Sequence, residues 1–148
     1  MKTTLIDTGP IVAFLNERDH HHDWAIETLS RLSPPLLTCE AVFTEAAYLL
    51  RRTPGGSVNV LEMSERQYLR PSFRLESEAT AVKTLMARYK NVPMDLADAC
   101  LVRLAEIHAD CVLVTADSEF RDIYRRYGRQ TIPTLMPSGV RRRSRVRP

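Results

Sequence analysis

Apolar residues along this chain fall into short runs and helical stripes that alternate in order. Thr3–Asp7 carries Leu5 and Ile6 and predicts a short strand, after which Gly9-Pro10 opens a helix to about Asn16. Polar residues 17–23 read as a loop and Trp24–Leu32 as a second helix, broken by Pro34-Pro35. Leu36-Leu37-Thr38 then predicts a buried strand. Glu40–Arg52 predicts a helix that stops at Thr53-Pro54-Gly55-Gly56-Ser57. The middle predicts a helix over Val58–Tyr68, a short strand at Phe73-Arg74-Leu75 and a helix over Ser77–Tyr89, with Pro93 closing the next loop. Further on come a helix over Asp95–His108, a β-branched strand at Cys111–Thr115, a helix over Ser118–Tyr127 and a last strand near Ile132–Leu135. Strands that alternate with helices imply the α/β class, a parallel sheet with helices on both faces. No internal repeat or long linker divides the chain, so residues 1–140 read as one domain and 141–148 as a basic tail.

Charge changes this picture at one end. The formal net charge is +3, but residues 141–148 hold five of the 21 basic residues and no acid. The body keeps 16 basic against 18 acidic residues and is slightly negative. A short arginine block implies an exposed tail that meets nucleic acid or an acidic partner. Three cysteines (Cys39, Cys100 and Cys111) without paired metal-type spacing suit reduced thiols, with Cys39 and Cys100 as small buried hydrophobes. Asp7 and Gly9-Pro10 interrupt any signal-peptide core, and no apolar run approaches the ~18 residues of a membrane span. The expectation is a soluble, cytoplasmic protein.

Periodicity then isolates two acids. Ala41, Val42, Ala46, Leu49 and Leu50 define an inward stripe, and Glu45 lies within or beside it. Asp98 has Leu101, Val102 and Ala105 at i+3, i+4 and i+7. An ionised carboxylate on a core-facing stripe is costly unless it meets a cation or good donors. Two more acids come at strand ends: Asp7 after the first, and Asp117 after Val112-Leu113-Val114. In open parallel sheets, ligands bind beyond the C-terminal ends of the strands.

Each acid has a simpler reading. Asp7 or Thr8, Asp117 and Asp95 are all placed to cap helices, and Asp98 sits where a helix dipole favours it. Glu45 could reach water at a boundary, but capping does not explain it. Asp95 fits a cap or a supporting role better than direct metal contact.

With these residues placed, the chain resembles the PIN-domain ribonucleases, especially the VapC-like toxins of toxin–antitoxin pairs. The matching pieces are Leu5-Ile6-Asp7-Thr8-Gly9, Glu45 within Thr-Glu-Ala-Ala-Tyr-Leu-Leu, Met94–Ala99 and Thr115–Phe120. The resemblance implies a three-layer α/β/α fold around a parallel sheet, Mg²⁺ or Mn²⁺, and phosphodiester hydrolysis in RNA. It maps the acid quartet onto Asp7, Glu45, Asp98 and Asp117, with Asp7 and Asp98 as principal metal ligands. Glu45 and Asp117 would bind metal directly or through water. Thr8 and Thr115 sit where the family often has hydroxyl residues, and Asp95 is a further supporting candidate. An antitoxin partner and a homodimer are implied by the resemblance alone. The alternatives are a PIN-domain nuclease of RNA processing or DNA repair without an antitoxin, and a non-catalytic RNA-binding module. The intact quartet disfavours the second.

The chemistry suits the residues. Oxygen-only ligands select hard cations such as Mg²⁺ or Mn²⁺ over Zn²⁺. Crowded carboxylates cannot all stay ionised without cations, and would otherwise repel RNA phosphate. A cation there activates water and stabilises the leaving oxygen. His20-His21-His22 resembles a metal tract, but consecutive loop residues rarely complete one coordination sphere. Arg51, Arg52, Arg141, Arg142 and Arg143 are candidates for RNA contact.

Overall fold

In a computed structural model, which describes residues 2–141, the chain follows the expected alternation. Strand β1 (Thr3–Ile6) leads to helix α1 (Thr8–Leu15) and α2 (His22–Ser30). Then come β2 (Leu36–Thr38), α3 (Glu40–Leu49), α4 (Gly56–Glu65), β3 (Leu69–Pro71), α5 (Leu75–Arg88) and α6 (Leu96–Ile107). The chain closes with β4 (Cys111–Val114), α7 (Ser118–Asp122), a hairpin of β5 (Arg125–Arg126) and β6 (Gln130–Thr131), and β7 (Thr134–Leu135).

Five strands form one sheet in the order β3-β2-β1-β4-β7, and every pairing within it is parallel. Central β1 is apolar on both faces because helices cover both; Leu5 and Ile6 are fully buried. β1 and β4 pair along their whole length, from Thr3–Cys111 to Ile6–Val114. Chain order reverses direction between these two strands, so their C-terminal ends flank a topological switch point. α1 packs on α2 and α3, while α6 packs on α5 and rests against β1 and β4.

Two expected elements are corrected. The third strand is Leu69–Pro71, not Phe73–Leu75, and Leu75 instead opens α5. β3 is an edge strand, where Pro71, lacking an N–H, costs no ladder bond on its open side. The helix expected to reach Tyr127 ends at Asp122. Beyond it the Arg126–Arg129 turn places Tyr127 (φ 52°) and Gly128 (φ 78°) in left-handed conformations, which a two-stranded ribbon favours. Tyr127 holds this conformation because its N–H donates to Glu106 Oε2 at 2.6 Å and its hydroxyl to the Glu106 carbonyl. α3 also stops early: the carbonyl and Cβ of Leu50 press so closely on Gly56 that any side chain there would collide at 2.5–2.8 Å.

The cysteines are buried and unbridged, as expected. Interaction between the Cys39 and Cys100 thiols raises the first and lowers the second. No helix among the described residues is long and apolar enough to cross a membrane. The tail from Arg142 onward lies outside the described residues.

Candidate active site

At the switch point the chain gathers its acids around a cavity of about 360 Å³. Asp7, Glu45, Asp98 and Asp117 all line it, together with Thr8, Asp95 and Glu119. A wider hollow of about 450 Å³ elsewhere is walled mainly by Phe14, Leu15, Met63 and Tyr68, a lining that offers no comparable chemistry.

Capping and site formation turn out to be one arrangement. Asp7 caps α1, its Oδ1 accepting from the Thr8 amide at 2.7 Å. Its Oδ2 accepts from the Thr115 hydroxyl at 2.8 Å, and that hydroxyl oxygen accepts from the Asp117 amide at 3.0 Å. Thr115 thus ties the ends of β1 and β4 together and fixes the Asp7 carboxylate. Asp117 caps α7 through the Glu119 amide at 2.9 Å, and Asp95 caps α6 through the Asp98 amide at 2.8 Å. The positive N-terminal ends of these helices meet at the cavity and partly offset its charge.

They do not offset it fully. Among the described residues no Lys or Arg forms an ion pair with Asp7, Glu45, Asp98, Asp117 or Glu119. Burial pushes Asp7 up from 3.8 to about 7, despite its two hydrogen bonds, and Asp117 and Glu45 add to the rise. Burial likewise raises Asp98 to about 8, with Asp95, Asp7 and Asp117 contributing and the Tyr124 hydroxyl opposing. Glu45, half-buried on α3, is raised by burial and then by Asp95 and Asp117.

One hydroxyl on the wall also lacks a partner. Thr8 Oγ1 is buried and makes no hydrogen bond, a deficit that a bound group or water in the cavity would relieve. Oxygen-only donors, uncompensated negative charge and an orphaned hydroxyl all fit a hard divalent cation with its waters.

Sequence reasoning missed two members. Glu119 is 7% exposed, and ligand atoms of Asp98, Asp117 and Glu119 lie within 4.8 Å of one another. Tyr124, fully buried, places its hydroxyl 3.1 Å from Asp98 Oδ2 and 2.9 Å from Glu119 Oε2. The only signal in the sequence is the spacing, with Glu119 two residues after Asp117, and on a helix predicted to run to Tyr127 it does not single Glu119 out.

Of the arginine candidates, Arg51 and Arg52 do not line the acid cavity. Arg51 is exposed and folds back over the Tyr48 ring at 3.9 Å, donating to the Tyr48 carbonyl. Arg52 lines a separate hollow with Arg18, and Leu49 borders both that hollow and the acid cavity. Arg141 is exposed, and Arg142 and Arg143 fall outside the described residues. The histidine tract builds the α1–α2 corner: His22 Nδ1 donates to the Ala13 carbonyl at 2.7 Å, and His21 meets Trp24 edge-on.

Topology and cavity together define a class of protein, a parallel α/β domain with a carboxylate-lined cavity at its strand ends. The family follows from the sequence. Residues 4–126 match the family model of the PIN domain, and the chain belongs to the PIN domain family. Among solved structures it is similar to VapC20 of Mycobacterium tuberculosis, a sarcin-ricin loop cleaving toxin, with 18% identity and a TM-score of 0.69. That likeness covers 79% of this chain and 92% of the other, and at such identity it is one of fold. Comparison with curated proteins gives no match.

Proposed function

We propose that this protein is a metal-dependent endoribonuclease that hydrolyses RNA phosphodiester bonds, and that it acts in the cytoplasm as the toxin of a toxin–antitoxin pair. The observation that carries the reading is the convergence of Asp7, Glu45, Asp98 and Asp117 on one cavity where, among the described residues, no Lys or Arg pairs with them. Mg²⁺ or Mn²⁺ is the matching cofactor, held principally by Asp7 and Asp98, with Glu45 and Asp117 binding directly or through water. When bound, it supplies Lewis-acid polarisation of the phosphate and activation of water. The chain's own residues do the rest. Thr115 and the Thr8 amide fix the Asp7 carboxylate, Asp95 holds the start of α6 so that Asp98 faces the cavity, and Glu45 sits opposite from α3.

RNA binding draws on positive charge outside the cavity, where Arg52 and Arg141–Arg143 are the candidates. An antitoxin would cover the acidic cavity. The exposed Tyr48, Leu49, Val58 and Leu61 on the packed helices α3 and α4 offer apolar surface for such a partner or for a homodimer. VapC20 suggests where to begin, with RNA that includes the sarcin-ricin loop. The test is cleavage of that RNA by purified protein with Mg²⁺ or Mn²⁺. Activity is expected to stop with excess EDTA and to return better with Mn²⁺ than with Zn²⁺. Cleavage that persists in EDTA overturns the reading.

A further inference from the structure

Two of the three cysteines come together where α3 packs on α6, and neither lines the acid cavity. Cys39 stands at the N-cap of α3, a position where the oxygen of Ser, Thr, Asp or Asn is ordinarily preferred, and Cys100 lies on α6. We propose that Cys39 and Cys100 are a redox pair that peroxide closes into a disulfide, and that the bridge lowers nuclease activity by displacing Asp98 relative to Glu45. The bridge stands on the two thiols alone, whereas its effect on cleavage rests on the reading of the acid cavity as the nuclease site.

Three observations carry the proposal. The first is a shared cavity: both cysteines line one hollow of about 420 Å³, together with residues of α3, α5 and α6. The cysteines themselves are buried, but Glu40, Arg74 and Glu76 on the same walls are exposed. The hollow therefore reaches the surface, and an oxidant as small as hydrogen peroxide can enter it. The second is direct interaction, since each thiol is the largest single influence on the other. The third is a contrast within the chain. Cys111 on β4 lines no part of this hollow, and its sulfur lies 3.9 Å from the Ala105 carbonyl and 3.9 Å from the Arg126 guanidinium. One pair and one isolated thiol are thus built into the same fold. Disulfides in a reducing compartment are typically transient and redox-sensing, which is the role such a pair would fill.

The chemistry balances with peroxide as the oxidant. One sulfur, as its thiolate, attacks a peroxide oxygen and the O–O bond breaks. A sulfenic acid forms, and the departing hydroxide takes up the proton that the thiol released. The second sulfur then attacks the first, the S–S bond forms and the S–O bond breaks, and hydroxide leaves with the second thiol's proton as water. Two thiols lose two electrons in all, and one peroxide becomes two waters. A small dithiol reverses the step by exchange. Bonded sulfurs sit about 2 Å apart, well inside the contact distance of two free thiols, so closure draws the two residues together. Cys100 follows Asp98 by two residues on α6, and Cys39 opens the helix that carries Glu45. A misplacement of about 1 Å in a catalytic arrangement can lower a rate by roughly 100-fold.

The experiment treats the full-length reduced protein with hydrogen peroxide, removes the oxidant, and alkylates the remaining thiols after denaturation. Peptide mass mapping is expected to find Cys39 joined to Cys100 within one chain, with Cys111 alone alkylated. Dithiothreitol should return all three thiols. RNA cleavage by the bridged protein should fall on the order of tenfold or more and recover on reduction. Cys39→Ser and, separately, Cys100→Ala should keep the activity of the reduced wild type and lose its sensitivity to peroxide. Three free thiols after oxidation, a bridge through Cys111, or a bridge between two chains overturns the proposal. A Cys39–Cys100 bridge that leaves cleavage unchanged overturns its regulatory half. Reduced protein that cuts no RNA counts against the proposed function, and with it the regulatory half, while mass mapping still decides the bridge. That mapping uses the wild type, so it holds even where a cysteine variant fails to fold.

Discussion

Asp98 and Glu106 stand about two turns apart on the same helix α6, both largely withdrawn from water, and the chain treats them in opposite ways. Glu106 is satisfied. Arg103 pairs with it at 3.3 Å while also holding Glu78 at 2.7 Å, and the Tyr127 amide donates to it at 2.6 Å. Around it Arg126, itself buried, donates to the carbonyls of Ala105 and Ala109 and so closes the C-terminal end of the helix. Asp98 receives one hydroxyl, and its charged neighbours Asp95, Asp7 and Asp117 are all acids. A buried acid with its own cation and amide is part of the frame. A buried acid among other acids is waiting for a ligand. The two ends of α6 therefore separate structural from functional burial within one element.

The largest effect should come from breaking the unsatisfied end. Asp98→Asn is expected to abolish Mn²⁺ binding and RNA cleavage, because the amide keeps the shape but not the charge. The same change should stabilise the metal-free fold above pH 8 by about 1–2 kcal/mol, since it removes a like charge from the cavity. Cleavage assays and denaturant melts on one preparation test both halves. Undiminished cutting would remove Asp98 from the site.

Breaking the satisfied end should do the reverse. Glu106→Ala leaves Arg103 short of a partner and strands the Tyr127 amide, at a cost of roughly 3 kcal/mol. Mn²⁺ affinity of the protein that remains folded should not change. A loss of metal affinity larger than the loss of stability would show that the two ends of α6 are coupled.

A pH titration sharpens the comparison further. In the folded chain Asp7 and Asp98 hold their protons to about 7 and about 8, whereas an unfolded aspartate releases its proton near 3.8. Between these limits the folded form binds more protons than the unfolded one, so the contribution of these groups to stability falls as pH rises. Metal-free protein should thus lose on the order of a few kcal/mol between about pH 4 and pH 8, and saturating Mg²⁺ should restore much of it. Stability that instead rises steadily with pH would mean that these carboxylates are compensated already.

Sequence alone made the first four acids legible because two broke an apolar stripe and two ended strands, and both are signals of period or position. The parallel sheet was legible for the same reason, through buried runs such as Leu36-Leu37 and Val112-Leu113-Val114 between helical stripes. Glu119 was hidden because α7 was read as a long helix, on which an acid near the N-terminus needs no explanation. The true helix has five residues and turns Glu119 inward to meet Tyr124. The hairpin after it was missed because its left-handed turn uses Tyr127 with Gly128, and Tyr127 tolerates that conformation only through Glu106, 21 residues earlier in the chain. Local pattern cannot encode a partner at that distance. β3 was misplaced for a related reason, since Phe73 is buried like a strand residue while lying in a loop.

The smallest expected effect concerns charge far from α6. The domain body is slightly acidic and its cavity more so, yet the proposed substrate is a polyanion, so attraction must come from elsewhere. Five arginines in residues 141–148 are the densest positive charge in the chain. Arg121, at the end of α7, donates to the Val140 carbonyl at 3.1 Å, so the described chain ends beside the element whose first turn borders the cavity. Contacts from these arginines to phosphate would release condensed counterions, at a slope of roughly −0.7 in log affinity per phosphate on single strands. Removing residues 141–148 should therefore flatten the dependence of log affinity on log salt by about one to two units, as expected for two or three lost contacts. Measuring RNA affinity in the Asp98→Asn background, with and without the tail and at several salt concentrations, keeps the substrate intact. Single-turnover cleavage at saturating protein should change little, because the tail is assigned attraction and not chemistry. An unchanged salt slope would mean that the arginines do not touch RNA and that other positive charge, led by Arg18 and Arg52 in the neighbouring hollow, does the work instead.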